Sequence, residues 1–294
     1  MQLIHHFTKV NGIRLHYVEA GSGPAVVLLH GFPETHRSWD LQMGALVAAG
    51  LRVIAPDLRG YGESARPSGG YDLDSLVRDV AGLCRQVSSV PVRVVGHDWG
   101  GAITWLLAGQ HPELVERAVV IACAHPVLMQ IALASNPRQL AKSWYMIFFQ
   151  VPVVPELWLS RRGAANLGRM FRETPGAERA PAELIATARG AVGRVASLRA
   201  PLAYYRTAIR AGLRHLFVPP ELPRVERPVT LIWAEDDACF VPELAAEHHR
   251  IAPQLALHLL RNTGHFAHQE DPAQVNALLI DALGAAVAAA PHGC

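Results

Sequence analysis

The chain has 294 residues, of which 50% are hydrophobic and 18% charged, with a formal net charge of +2. That composition excludes a disordered chain and is large enough for a substantial core. The near balance of charge gives no reason to expect a nucleic acid or a membrane surface as partner. The first ten residues, MQLIHHFTKV, lack the basic-then-apolar layout of a signal peptide, and no apolar run reaches membrane-spanning length. Cys84, Cys123, Cys239 and Cys294 are scattered without a CxxC pair. Reduced thiols in a soluble, cytoplasmic protein are therefore expected.

Taken in chain order, IHHFTKVNGIRLHYVEAG (4–21) predicts a hairpin turning at Asn11-Gly12. AVVLLHG (25–31) predicts a buried strand, followed by a helix in HRSWDLQMGALVAAG (36–50). RVIAPDL (52–58) predicts the next strand and LDSLVRDVAGLCRQV (73–87) the next helix. VRVVGHD, WGGAITWLLAGQH and VERAVVIACA then read as strand, helix and strand over 92–124. Unbroken Val/Ile/Leu runs separated by helices imply a mostly parallel sheet covered by helices on both faces. The hairpin would form an antiparallel edge.

The rhythm changes after about residue 125. Residues 126–225 contain no aspartate and carry 14 Lys+Arg against 5 Glu, whereas the remainder carries 13 against 20. The alternation returns with PVTLIWAED (228–236), a helix near PELAAEHHRIA, the strand LALHLL (255–260) and a last helix from Asp271 to about Ala290. An all-helical cap over 126–225, inserted after the sixth strand, would thus interrupt a core made of 1–125 and 226–294. Opposite net charges would help the two dock. The terminal PHGC is expected to fray.

The segment VVGHDWGG (94–101) holds the chemistry. It joins a strand to a helix with the cadence of Gly-x-Ser-x-Gly, but Asp98 stands where the serine would be. Gly96 and Gly100 sit two residues to either side, where side chains would clash in so sharp a turn. The helix start favours an ionised carboxylate, so Asp98 is expected to be charged and exposed. Capping the helix is the plain structural alternative.

An aspartate nucleophile is poor against esters and amides, but it can displace a leaving group at a strained or halogenated sp³ carbon. The resulting alkyl ester must then be hydrolysed. Oxyanion donors for that step would be the N–H groups of Trp99 and, from the loop after AVVLLHG, Phe32. A serine-type esterase is excluded. In the chain order nucleophile, acid, histidine, the acid falls among Glu235, Asp236 and Asp237, and the base is His265. His97, His125, His248, His249 and His268 are read as structural or surface groups.

The motifs HGFPE (30–34), APDLRGYGESARP (55–67), GHDWGG (96–101) and GHFxxxExP (264–272) resemble the epoxide hydrolase branch of the α/β-hydrolase superfamily over nearly the whole chain. The resemblance implies an α/β-hydrolase fold with a cap. It selects Asp237 from the pattern Trp233-Ala234-Glu235-Asp236-Asp237, although Ala234 replaces the usual glycine. It also implies two cap tyrosines that hydrogen-bond the epoxide oxygen: Tyr145 in SWYMIFFQVP and Tyr205 in PLAYYR. A neutral phenol can donate to a developing alkoxide. The alternative for both tyrosines is cap packing, the role expected of Trp144, Phe148, Phe149 and Tyr204.

Asp57, Arg59 and Ser64 are expected to build their loop, and His30 to position the oxyanion loop. No metal-ligand spacing or phosphate-binding glycine loop is present, so neither a metal nor another cofactor is implied. The expected partners are an apolar epoxide and water, with a homodimer left open. A haloalkane or haloacid dehalogenase using the same Asp98, Asp237 and His265 is the rival, with Trp99 as halide donor. A non-catalytic binding protein on this fold is the third reading, disfavoured by a complete set of catalytic residue types.

Overall fold

The computed structural model describes residues 2–170, 176–213 and 220–285. Strands β1 (Ile4–Val10) and β2 (Ile13–Ala20) form the expected antiparallel hairpin. Asn11 and Gly12 take φ of 44° and 80° between the paired Val10 and Ile13, the backbone a two-residue primed turn demands. Six further strands follow: β3 (Ala25–Leu29), β4 (Arg52–Pro56), β5 (Val92–His97), β6 (Val115–Ile121), β7 (Val229–Ala234) and β8 (Leu255–Leu260). Among the described residues they make one sheet in the order β1-β2-β4-β3-β5-β6-β7-β8. Only the β1/β2 and β2/β4 pairings are antiparallel.

Helices α1 (Asp40–Ala48), α2 (Leu73–Val87) and α3 (Trp99–Gln110) connect the first parallel strands. The period of two decides which face each residue serves. Val27, Leu29 and Val94 pack with Leu76, Val80, Ile103 and Leu107 of α2 and α3. Val26, Leu28 and Val95 pack with Met43 and Leu46 of α1 and with Val275 and Leu279 nearer the C-terminus. Both faces of β3 and β5 are therefore dry. That is why these strands read as continuous apolar runs and not as alternating ones.

Between β6 and β7 run α4 (Pro126–Ser135), α5 (Pro137–Lys142), α6 (Trp144–Phe148), α7 (Val154–Met170), α8 (Ala182–Val192) and α9 (Val195–Leu213). The helix α7 breaks at Arg161–Ala164, where three successive residues have positive φ. Short helices α10 (Leu244–Glu247) and α11 (Ala267–Glu270) precede α12 (Pro272–Ala282). The last helix was expected to reach about Ala290; it ends at Ala282, and residues 286–294, including Cys294, lie outside the described residues. No described helix is long and apolar enough to cross a membrane.

The basic insertion meets the acidic remainder through few ion pairs. Arg138–Glu243 (3.0 Å) and Arg37–Glu183 (3.7 Å) are both exposed, a setting in which such pairs contribute little. Shielded polar contacts hold it better: Tyr204 Oη donates to the Arg59 carbonyl at 2.7 Å in a buried bond, and Thr207 Oγ1 to the Tyr71 carbonyl at 2.8 Å in a half-buried one.

Helix α3 presses on β3 and β5 at glycines. A Cβ on Gly96 would lie 2.1 Å from the Gly100 carbonyl oxygen and 2.3 Å from Thr104 Oγ1. Gly44, on the exposed side of α1, faces open space. The same substitution should therefore act with opposite signs. Gly44→Ala should stabilise by up to about 1 kcal/mol, and Gly96→Ala should destabilise by at least about 1–3 kcal/mol through overpacking. Urea unfolding midpoints of the two variants check this; a Gly96→Ala midpoint equal to that of the parent would refute the steric account.

Candidate active site

Asp98 occupies the turn between β5 and α3 with φ 51° and ψ −120°, a strained conformation for a residue with a side chain. Its carboxylate makes no capping hydrogen bond to α3, so helix capping does not account for it. Instead Oδ1 accepts from the Phe32 N–H at 2.8 Å. The loop after β3 can come this close because residue 31 is glycine; a Cβ there would lie 2.4 Å from the Asp98 Cβ. The Phe32–Pro33 peptide is cis. His30, fully buried, ties this loop to the next, accepting from the Leu58 N–H at 3.0 Å and donating to the Gly31 carbonyl at 2.9 Å. Burial lowers its pKa, so it is neutral.

The Asp98 side chain is 15% exposed, less than the exposed position expected from sequence. The cause is the helical insertion, whose Phe149, Leu202 and Tyr205 cluster with Phe32 and Trp99 to either side of the carboxylate. Burial by itself would raise the Asp98 pKa, but His265 and the Phe32 N–H hold it below the ordinary carboxylate range. The expectation of charge stands.

His265 lies in the loop between β8 and α11, and Asp237 in the loop after β7. His265 Nδ1 donates to Asp237 Oδ2 at 2.9 Å, and its Nε2 stands 3.6 Å from Asp98 Oδ2. Asp237 is buried, and its Oδ1 accepts from the N–H groups of Cys239 (2.6 Å) and Phe240 (3.3 Å). Of the other acids in the run, Asp236 is exposed and Glu235 faces Arg261 at 3.8 Å. Geometry thus brings Asp237, and not its neighbours, to the histidine. Burial pushes the His265 pKa down, but the charge of Asp237 overcomes this, and with Asp98 on the other side the imidazole titrates well above its ordinary value. The two carboxylates on either side of the ring thus favour its protonated form.

Tyr145 on α6 and Tyr205 on α9 come together over Asp98. Their ring centroids are 5.9 Å apart, and Tyr205 lies edge-on to Trp99 at 4.9 Å and to Phe32 at 5.6 Å. Burial, with the negative charge of Asp98 adding to it, raises both phenols well above their ordinary pKa, so both keep their protons. Among the expected packing aromatics, Phe149 and Tyr204 are buried. Trp144 is not: it is 59% exposed, and Ile147, Val153 and Leu157 are exposed with it. The packing role expected of Trp144 is therefore not the one it has.

The loop residues behave as expected. Arg59 forks onto Asp79 at 2.6 and 2.7 Å, and Ser64 Oγ donates to the Asp57 carbonyl at 2.6 Å. His97, His125, His248 and His268 are buried, and His249 is exposed. His97 does more than fill space: its Nε2 donates to the His265 carbonyl at 2.9 Å. Cys239 was not singled out in the sequence; its Sγ lies within 4.8 Å of the ligating atoms of Asp237 and His265. Its place two residues after the acid is the only sequence signal that could have found it.

The chain and its fold have counterparts among known proteins. The chain is 37% identical over 281 residues to the AB hydrolase superfamily protein YfhM of Bacillus subtilis, covering 94% of this chain and 96% of that protein. It is 34% identical over 281 residues to epoxide hydrolase 4 of Homo sapiens, covering 92% of this chain and 76% of the relative. The crystal structure of an epoxide hydrolase from Bacillus megaterium, solved with an inhibitor, superposes with a TM-score of 0.84 at 30% identity, covering 95% of this chain and all of that one (100%). Residues 24–272 match the family described as the alpha/beta hydrolase fold, and the sheet order, the turn at Asp98 and these likenesses together place the chain in that family.

Proposed function

We propose that the protein hydrolyses an apolar epoxide to a vicinal diol through an ester on Asp98. The observation that carries this reading is the carboxylate on the turn, 3.6 Å from a histidine that is itself backed by Asp237. The epoxide hydrolases among its relatives and structural neighbours support the same reading. Residues 126–225 are then a cap, and 1–125 with 226–294 the core.

In the first step an Asp98 oxygen attacks an epoxide carbon, forming a C–O ester bond as the epoxide C–O bond breaks. The departing oxygen becomes an alkoxide and takes its proton from the Tyr145 and Tyr205 pair. Alkylation removes the charge on Asp98, and with it one of the two anions that hold His265 protonated. Its pKa should fall, so its Nε2 proton passes by way of water to the tyrosinate left by the first step, and Nε2 is free to accept a proton from the hydrolytic water. That water adds to the Asp98 carboxyl carbon, and the oxyanion is held by the N–H groups of Phe32 and Trp99. Collapse expels the diol oxygen, which takes the proton back from His265, and the Asp98 carboxylic acid that remains ionises onto His265 to restore the resting charges.

Halide displacement at the same carboxylate is the second reading. It draws on Trp99, whose buried indole N–H lies beside Tyr205 and would face a halide bound there. The two phenols favour the epoxide, because an alkoxide needs a proton and a halide does not. Halide release assayed beside epoxide opening separates the two.

His265→Gln should open one equivalent of epoxide and stall, with turnover down by about 10²–10⁴-fold. Intact-protein mass spectrometry should find an adduct of the substrate mass, mapped to the peptide containing Asp98. Normal turnover without adduct would remove His265 from the scheme.

Each of Tyr145→Phe and Tyr205→Phe should slow alkylation at a cost of about 1–3 kcal/mol, and the double variant should be slower still. An unchanged alkylation rate in the double variant would return both residues to packing.

The two half-reactions should also respond differently to pH. Because the Asp98 pKa is lowered, alkylation should persist through neutral pH and be lost only in acid. Ester hydrolysis needs neutral His265, so its rate should rise with pH through the imidazole pKa of the alkylated enzyme. The free enzyme, with Asp98 still charged, should show a higher His265 pKa than the alkylated one. Single-turnover rates across pH, with His265 followed by NMR, test this; a histidine pKa unmoved by alkylation would count against the switch.

A further inference from the structure

The N-terminal hairpin carries a histidine group that the hydrolytic chemistry does not use. His5 on β1, His16 on β2 and Glu63 in the loop after β4 each bring one potential ligand atom to within 4.8 Å of the others. His5 Nδ1 is 2.9 Å from His16 Nε2, and the two rings stack with centroids 5.2 Å apart. Strand register explains the approach: Phe7 stands opposite His16, which makes His5 its diagonal neighbour on the same face.

Asp57 orients the group. Its buried carboxylate accepts from His16 Nδ1 at 2.8 Å and from the Glu63 N–H at 3.0 Å through Oδ2. Through Oδ1 it accepts from His36 Nδ1 at 2.9 Å and from the His36 N–H at 3.0 Å. Burial would raise its pKa, but the two imidazole donors hold it far below the carboxylate range. With its Nδ1–H given to an anion, His16 turns an Nε2 lone pair toward His5 Nδ1. A carboxylate behind an imidazole is the arrangement that fixes the tautomer of metal-ligating histidines. The loop closes this tightly because residue 62 is glycine, with φ 45°; a Cβ there would fall 2.0 Å from Asp57 Oδ2.

We propose that His5 Nδ1, His16 Nε2 and the Glu63 carboxylate form a binding site for a divalent transition-metal ion of the zinc class. Two imidazole nitrogens and one carboxylate oxygen suit Zn²⁺, with water completing the coordination. His5 and Glu63 are exposed while His16 is buried, so the site opens to solvent. The overlapping group His16, His36 and Asp57 is buried throughout, and its carboxylate is already engaged by both rings. A bound ion would tie β1, β2 and the 57–64 loop together. It replaces the proton that His5 and His16 otherwise share.

The test is titration of the EDTA-treated full chain with Zn²⁺ alone, read by calorimetry and by thermal unfolding. One Zn²⁺ per chain and a rise in Tm are expected. His5→Ala and Glu63→Ala should each weaken binding at least tenfold and abolish the rise in Tm, with epoxide turnover unchanged. Cys239→Ser, which alters the group of Asp237, Cys239 and His265, should bind as the parent does. Absence of saturable uptake would overturn the site. So would binding that survives His5→Ala and Glu63→Ala but is lost in Cys239→Ser, which would place the ion at Asp237, Cys239 and His265.

Discussion

The hydrogen bond of 2.9 Å between His265 Nδ1 and Asp237 Oδ2 joins two loops across 28 positions of the chain, and the site depends on it. Parallel pairing makes it attainable. Strands β7 and β8 pair with Trp233 beside Leu259 and Ala234 beside Leu260, so both loops leave the sheet at the same level. Backbone bonds from Glu235 N to the Leu260 carbonyl and from Asp236 N to the Thr263 carbonyl carry the pairing one step beyond the strands. His97 holds the His265 carbonyl, and Glu270 accepts from the N–H groups of Gly264 and Phe266 on either side of it. The imidazole is thus fixed by its ring and by its backbone before any substrate arrives.

Favouring an imidazolium between two carboxylates gives the site a charge logic. Each anion lowers the cost of burying the cation, and the cation lowers the cost of burying each anion. In the proposed cycle this balance is disturbed once, when Asp98 becomes an ester, and the disturbance readies the base for the step that follows. A serine at position 98 would reverse the order, since it needs its base before attack and not after.

Much of this was legible in the sequence, for identifiable reasons. Strands β3 to β7 announce themselves because they are mostly buried, and the Asn11-Gly12 turn because few residues tolerate two successive positive φ values. Asp98 was legible from the glycines that its turn requires. The outward course of Trp144, Ile147 and Leu157 was not, since apolar character by itself does not say which side of a short helix meets water. Nor was the grouping of His5, His16 and Glu63. Its members lie on three separate segments, and what unites them is a tautomer set by Asp57, which no spacing rule encodes.

Tyr204 and Tyr205 are consecutive on α9 yet belong to different partners. The hydroxyl of Tyr204 reaches down to the Arg59 carbonyl, in the loop that Asp57 and Ser64 build, while Tyr205 meets Trp99 and Phe32 beside Asp98. The proposed proton donor is therefore indexed to the sheet through its neighbour and not through the outer surface of the insertion. Sequence drift across that surface, at positions such as Trp144, Ile147 and Leu157, can then reshape what the insertion shows to solvent while Tyr205 keeps its address. Such a layout separates a part that is free to evolve from one that is not.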